Sequence, residues 1–171
     1  MVARNGGVVM VTFAPAYVSA ERNRWEADRA AEETRYNSPP YAGLYIGQPE
    51  RAKAAMAEWD AGHPRPVVTL AMVADHIEHI RHVAGIDHVG IGSDFDGIPN
   101  TPQGLEGVDK FPALLKELAK RGWTDEELGK VAGANMLRVL REAAAAAKRL
   151  QATESPSSVT IEQADAGVVK K

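Results

Sequence analysis

The sequence predicts an α/β fold in which a parallel sheet is covered by helices, and three observations predict it. Two short apolar runs, GGVVMVTF at 6–13 and HVGIGS at 88–93, lack the polar alternation of a half-solvated strand and suit strands covered on both faces. Between them Val73, Ile77, Ile80 and Ala84 recur at helical spacing. Strand, helix, strand in that order is a right-handed βαβ crossover.

Each element has its own signal. After the first strand, Ala20 to Arg35 turns polar and helical, and NSPPYAGLYIGQP then breaks it with prolines and glycines. A second helical stretch, Glu50 to Ala61, stops at GHPRP, so that about 20–66 forms an insertion in the crossover. Thr69 caps the amphipathic helix and Gly85 ends it. Asp109 to Arg121 predicts a helix with Phe111, Leu114, Leu115 and Leu118 inward, closed by Gly122. Thr124 opens the next helix with Glu127 three positions on, the reciprocal arrangement of a capping box. Asn135 starts the last helix after the Gly133 interruption, and from about Gln151 the tail, with little periodic apolar content, is expected to be disordered. No internal repeat is visible.

Composition excludes several function classes. The chain has 171 residues, 44% hydrophobic and 25% charged, with a net charge of −3 and scattered Lys and Arg, which leaves no basic field for nucleic acid. The absence of cysteine rules out disulfides and thiol catalysis and fits a reducing compartment. The longest apolar run is too short to cross a bilayer and no leader opens the chain, so a cytoplasmic location without membrane attachment is expected. Two strands alone cannot cover four or five helices, so further strands are expected beside them, and the chain resembles the end of a larger α/β domain.

The candidate chemistry lies in SDFDG, where Asp94 and Asp96 follow the second strand. A nucleotide loop fails because the third glycine position of GxGxxG holds Phe95, and a calcium loop fails because Ile98 stands two beyond Asp96. A carboxylate just past the C-terminal end of a parallel strand sits where α/β folds place their chemistry. It could equally serve only as a turn or cap residue binding loop amides. Asp94, nearer the strand, is the better functional candidate, and Asp96, beside Gly97, the better turn former. Tyr17 also falls on the C-terminal side of a strand, where a phenol could hydrogen-bond a ligand. Trp25, Tyr36, Tyr41 and Tyr45 give the insertion an aromatic character that fits packing better than a lid. His76, His79 and His82 fan over about 120° of a helix, too wide for one metal ion.

Three stretches, GGVVMVTFAPAYVS, VADHIEHIRHVAGIDHVGIGSDFDGIP and GLEGVDKFPALLKELAKRGWTDEELGKVAGANMLRVLRE, resemble in order and spacing the C-terminal part of the membrane dipeptidase family, also called renal dipeptidase or peptidase family M19. The resemblance runs over about 1–142, with 143–171 as helix end and tail. It implies a metal-dependent (β/α)₈ (TIM) barrel of the amidohydrolase type, incomplete in this chain, with GGVVMVTF as seventh and HVGIGS as eighth strand. In such enzymes two zinc ions lower the pKa of bound water and polarise the scissile carbonyl of a dipeptide. Asp94 matches the aspartate that passes the proton to the leaving amine, and Tyr17 matches a tyrosine of the substrate pocket. The family's metal ligands and its substrate-clamping arginine come from earlier strands and have no counterpart here, so no metal ligand is assigned. The chain is therefore expected to be a C-terminal portion that is inactive alone. The other expectation is a non-catalytic remnant that self-associates as a homo-oligomer or docks on a partner.

Overall fold

A computed structural model of the chain describes residues 2–37 and 43–166. It divides into two units, 1–136 and 137–171. In the first, α1 (Val2–Asn5) leads into β1 (Val9–Thr12), followed by the short α2 (Pro15–Val18). The insertion consists of α3 (Ala20–Asn37) and α4 (Pro49–Gly62). Then come α5 (Leu70–Ala84), β2 (Val89–Ser93), α6 (Phe111–Lys120) and α7 (Asp125–Gly129). A π-type turn, Lys130–Ala134, joins α7 to α8 (Asn135–Thr153).

The two strands pair in parallel, Val9 with Val89, Met10 with Gly90 and Val11 with Ile91, and the register then slips so that Thr12 meets Ser93. Among the described residues the sheet has these two strands and does not close into a barrel. Covering on both faces, which the apolar runs led us to expect, is not what β1 shows. Val11 (3% exposed) and Phe13 (0%) pack with Val73, Ile77, Leu114 and Leu118, whereas Met10 on the opposite face remains 38% exposed. The glycines of GIGS make that face possible. A Cβ at Gly90 would stand 2.7 Å from the Met10 sulfur, and one at Gly92 3.0 Å from the Met10 Cβ, so both leave room for Met10 on the neighbouring strand.

The helices end where their capping chemistry dictates. Thr69 Oγ1 accepts from the Met72 amide, and Gly85, at φ 95°, donates its N–H to the Arg81 carbonyl. The helix expected from Asp109 starts at Phe111 instead. Residues 108–110 wind more tightly, the Lys110 amide bonding the Gly107 carbonyl, and Pro112, which lacks an N–H, suits the first α-helical turn that follows. The capping box forms as expected, with Thr124 N donating to Glu127 Oε2 at 3.0 Å and Glu127 N to Thr124 Oγ1 at 3.3 Å. Asn135, 3% exposed, donates through Nδ2 to the carbonyls of Ile86 and Val89, which ties the start of α8 to the entry of β2.

In the second unit α8 continues with an Arg138–Glu142 ion pair one turn apart. The tail expected to be disordered contains α9 (Ile161–Asp165), opened by a second capping box between Thr160 and Gln163. Local side-chain bonds to the backbone nucleate this turn without any apolar face, which is why hydrophobic periodicity does not reveal it. No described helix is long and apolar enough to cross a membrane.

Candidate active site

Parallel pairing puts the C-terminal ends of β1 and β2 side by side, and both candidate residues follow those ends. The Phe13 amide bonds the Ser93 carbonyl at 2.9 Å, so Asp94 leaves the sheet directly beside the turn into α2. Tyr17 lies on α2, four residues past Phe13, and is 72% exposed.

The backbone at the end of β2 is strained. Ser93 has φ 26° and Asp94 φ 67°, the two non-glycine residues with positive φ among those described. Left-handed geometry costs about 1–3 kcal/mol for a residue with a Cβ, although Asp tolerates it better than most. Such strain persists where surrounding structure over-determines it, and here it turns the chain sharply so that Asp94 is presented at the strand end.

Asp94 also opens the turn that follows, because the Gly97 amide donates to its carbonyl at 3.0 Å. Asp96 lies in the turn, as expected from sequence, at its third position, and Asp94 takes part in the same turn by opening it. A Cβ at Gly97 would fall 2.5 Å from Asp94 Oδ1, so glycine is required for the carboxylate to lie over the turn. Both aspartates are exposed. Beneath them Phe95 reaches inward, its ring 5.6 Å from Phe13 and 5.9 Å from Phe111, and anchors the loop in the core.

The far end of the loop is fixed by GLEG. Gln103 forms a parallel bridge with Thr69, Leu105 is fully buried, and the Gly104 amide donates to Glu106 Oε1. That amide holds the Glu106 carboxyl below its ordinary range. Between Asp94 and Gln103, Asn100 accepts from Arg65 Nη1 at 2.6 Å, a contact with the insertion that no spacing in the sequence announces.

The helical histidines do not converge. His76 is half-buried, while His79 and His82 are exposed farther along α5. Among the described residues no group of three or more His, Asp or Glu side chains is placed to hold a metal ion. Tyr41 lies outside the described residues. Tyr36 and Tyr45 stack at 5.5 Å, and Trp25 packs against Trp59 at 5.8 Å, so the insertion's aromatics bind its own two helices together.

The chain matches the model of the membrane dipeptidase family, peptidase family M19, over residues 1–154. It belongs to that family. It is 51% identical over 72 residues to Dipeptidase verJ of Clonostachys rogersoniana, an overlap of 42% of this chain and 19% of that protein. It is also similar to the crystal structure of the probable dipeptidase PvdM from Pseudomonas aeruginosa, with a TM-score of 0.55 and 27% identity over 80% of this chain and 37% of that one. The chain therefore spans less than two fifths of the length of these dipeptidases. Membership in the membrane dipeptidase family implies an amidohydrolase-type barrel, of which parallel strands alternating with helices are the repeating unit.

Proposed function

We propose that this chain furnishes the proton-transfer carboxylate, Asp94, and a wall of the substrate pocket, Tyr17, in a metal-dependent enzyme that hydrolyses dipeptides to free amino acids. The observation that carries the reading is the strained Ser93–Asp94 backbone at the C-terminal end of a parallel strand, in a chain of the membrane dipeptidase family. In this reading β1 and β2 are the seventh and eighth strands of the barrel, and the face bearing Met10, Gly90 and Gly92 turns toward its interior. Asp94 accepts a proton from the attacking water as the carbon–oxygen bond forms. It returns that proton to the amine nitrogen as the carbon–nitrogen bond breaks. Such acid and base assistance contributes about 10² to 10⁴ in rate. Tyr17 directs its exposed phenol at the substrate.

The family resemblance implies zinc, which would supply an acidified water and a polarised carbonyl. The residues described here do not fit a binuclear centre, since none of their acidic and imidazole side chains form a group of three. This chain's own part is confined to proton transfer and substrate contact.

The test replaces the matching segment of a full-length family dipeptidase with this chain. The chimera hydrolyses dipeptides, and Asp94→Asn lowers kcat at least about 100-fold with metal content unchanged, because asparagine keeps size and reach but cannot carry the proton. Asp96→Asn leaves kcat near that of the parent, and the chain alone with added zinc shows no hydrolysis. Near-normal kcat in Asp94→Asn, with loss in Asp96→Asn, would identify the other carboxylate. A second reading, a non-catalytic chain that self-associates, is favoured by the half-exposed Met10 on a two-stranded sheet with open edges. Concentration-dependent oligomers in light scattering, together with an inactive chimera, would select it.

A further inference from the structure

We propose that the α3–α4 insertion positions the loop that carries Asp94, and that Arg65 is the residue through which it acts. The loop is anchored at both ends by backbone bonds, Phe13 to Ser93 on one side and Gln103 to Val68 and Leu70 on the other. Phe95 and Ile98 hold its first half on the core. The remaining stretch, Pro99 and Asn100, is bridged to the insertion by the 2.6 Å bond from Arg65 Nη1 to Asn100 Oδ1.

Arg65 is itself held in place. It stands between two prolines in HPRP, whose rings fix φ on either side and disfavour helical geometry before each of them. The two carbonyls flanking this stretch are captured by α3: Trp25 Nε1 donates to the His63 carbonyl at 2.8 Å, and Arg22 Nη1 to the Pro66 carbonyl at 3.1 Å. Arg22 is 4% exposed, an unusual depth for a guanidinium, and its Nε is bonded to Glu26. The guanidinium groups of Arg22 and Arg65 each lie 5.4 Å from the Trp25 ring. A planar guanidinium can stack on the indole and still direct an N–H at the Asn100 amide, which an ammonium cannot reproduce. An open cleft of about 190 Å³ is lined from both sides here, by Arg22, Trp25, Arg29 and Arg65 of the insertion and by Pro99 and Asn100 of the loop.

That the positioned loop is catalytic rests on the role proposed for Asp94, but the tie can be measured without turnover. Hydrogen exchange of the full chain is followed by mass spectrometry in Arg65→Ala, Asn100→Ala and the double variant. Each single change accelerates exchange across 95–100 about 3- to 10-fold, as loss of one net hydrogen bond predicts. Exchange in β1 and α5 stays unchanged. The double variant is no faster than either single one, and Arg65→Lys recovers only part of the protection. Unchanged exchange at 95–100 in both single variants overturns the proposal. In the chimera Arg65→Ala lowers kcat with KM and metal content unaltered, and where Asp94→Asn loses turnover an unaltered kcat in Arg65→Ala also overturns it. Should Asp94→Asn retain turnover while Arg65→Ala still loosens the loop, the positioning stands and the proton-transfer role falls.

Discussion

The sheet with its packed helices and the α3–α4 insertion are held together by different physics. Around β1, β2, α5 and α6, eleven residues from Val11 to Val131 form one buried cluster, and Phe13, Ile77, Leu105, Leu114 and Leu118 expose nothing. Among the described residues, α3 and α4 bury only Ala52, Met56 and the charged Arg22. Its cohesion comes from Arg29 bonding Asp60 at 2.8 and 3.0 Å, from Trp25 on Trp59, and from His63 stacked on Trp59 at 4.3 Å. Apolar burial is non-directional and grows with area, whereas these polar and ring contacts depend on geometry. The first region can therefore serve as a rigid base and the second as an adjustable support for the Asp94 loop.

The contrast is broken most severely in the core. Phe13→Ala should cost about 3–5 kcal/mol, because it empties a buried site and removes the edge contacts of Phe13 with Phe95 and Phe111. Urea unfolding followed by circular dichroism measures it. Trp59→Leu in the insertion keeps an apolar, though smaller, side chain and removes two ring contacts at a half-buried position, so its cost should be nearer 0.5–1.5 kcal/mol per pair lost. Comparable losses for the two variants would mean that the insertion has a core of its own.

The same contrast decides how much could be read from sequence. The strands, α5, α6 and the Thr124 capping box were legible because each is announced by local spacing of apolar or capping residues, as Val73, Ile77 and Ile80 show. Asp94 and Tyr17 were legible as candidates because a parallel strand has a chemically favoured end. The bonds of Arg65 with Asn100 and of Trp25 with His63 join residues 35 and 38 positions apart, and no periodicity encodes such pairs. The strain at Ser93 and Asp94 was hidden too, since nothing in SDFDG announces a positive φ at two non-glycine residues. The packing role of Gly90 and Gly92 was hidden for a related reason. They stand inside the expected strand, and there they admit Met10 from the neighbouring one.

Acid separates the two regions more mildly. Glu127, which closes the α7 cap and pairs with Arg81, has its carboxyl held below the usual 4.5 by the Thr124 amide and then by Arg81. Asp60 is held below 3.8 by its bond from Arg29. A carboxyl whose folded pKa is depressed contributes fully above its unfolded value and loses that contribution as pH falls through the folded one. Melting temperature should therefore begin to decline below about pH 4.5, with Glu127 ahead of Asp60. Glu127→Gln should flatten the upper part of that decline and Asp60→Asn only the lower part. Thermal scans between pH 6 and about 2.5 test the order, and a single decline unchanged by Glu127→Gln would remove Glu127 from the linkage.

The smallest effect concerns the Arg29–Asp60 pair, yet it discriminates best between the two kinds of cohesion. The side chains of Arg29 and Asp60 are 33% and 40% exposed, so water and ions reach both. Exposed pairs contribute little, and the distance over which salt leaves charges unscreened shrinks from about 10 Å at 0.1 M to about 3 Å at 1 M. Arg29→Met should lower the melting temperature slightly in dilute buffer and by a smaller amount in 1 M sodium chloride, conditions chosen to span that screening range. Phe13→Ala should show no such attenuation, because the contacts it removes carry no charge. If the deficit of Arg29→Met survives intact at high salt, the two-pronged hydrogen-bond geometry between guanidinium and carboxylate, and not their charge, is what joins α3 to α4. The insertion would then be a stiffer support for the Asp94 loop than its exposure suggests, and Arg65 would act from a fixed platform.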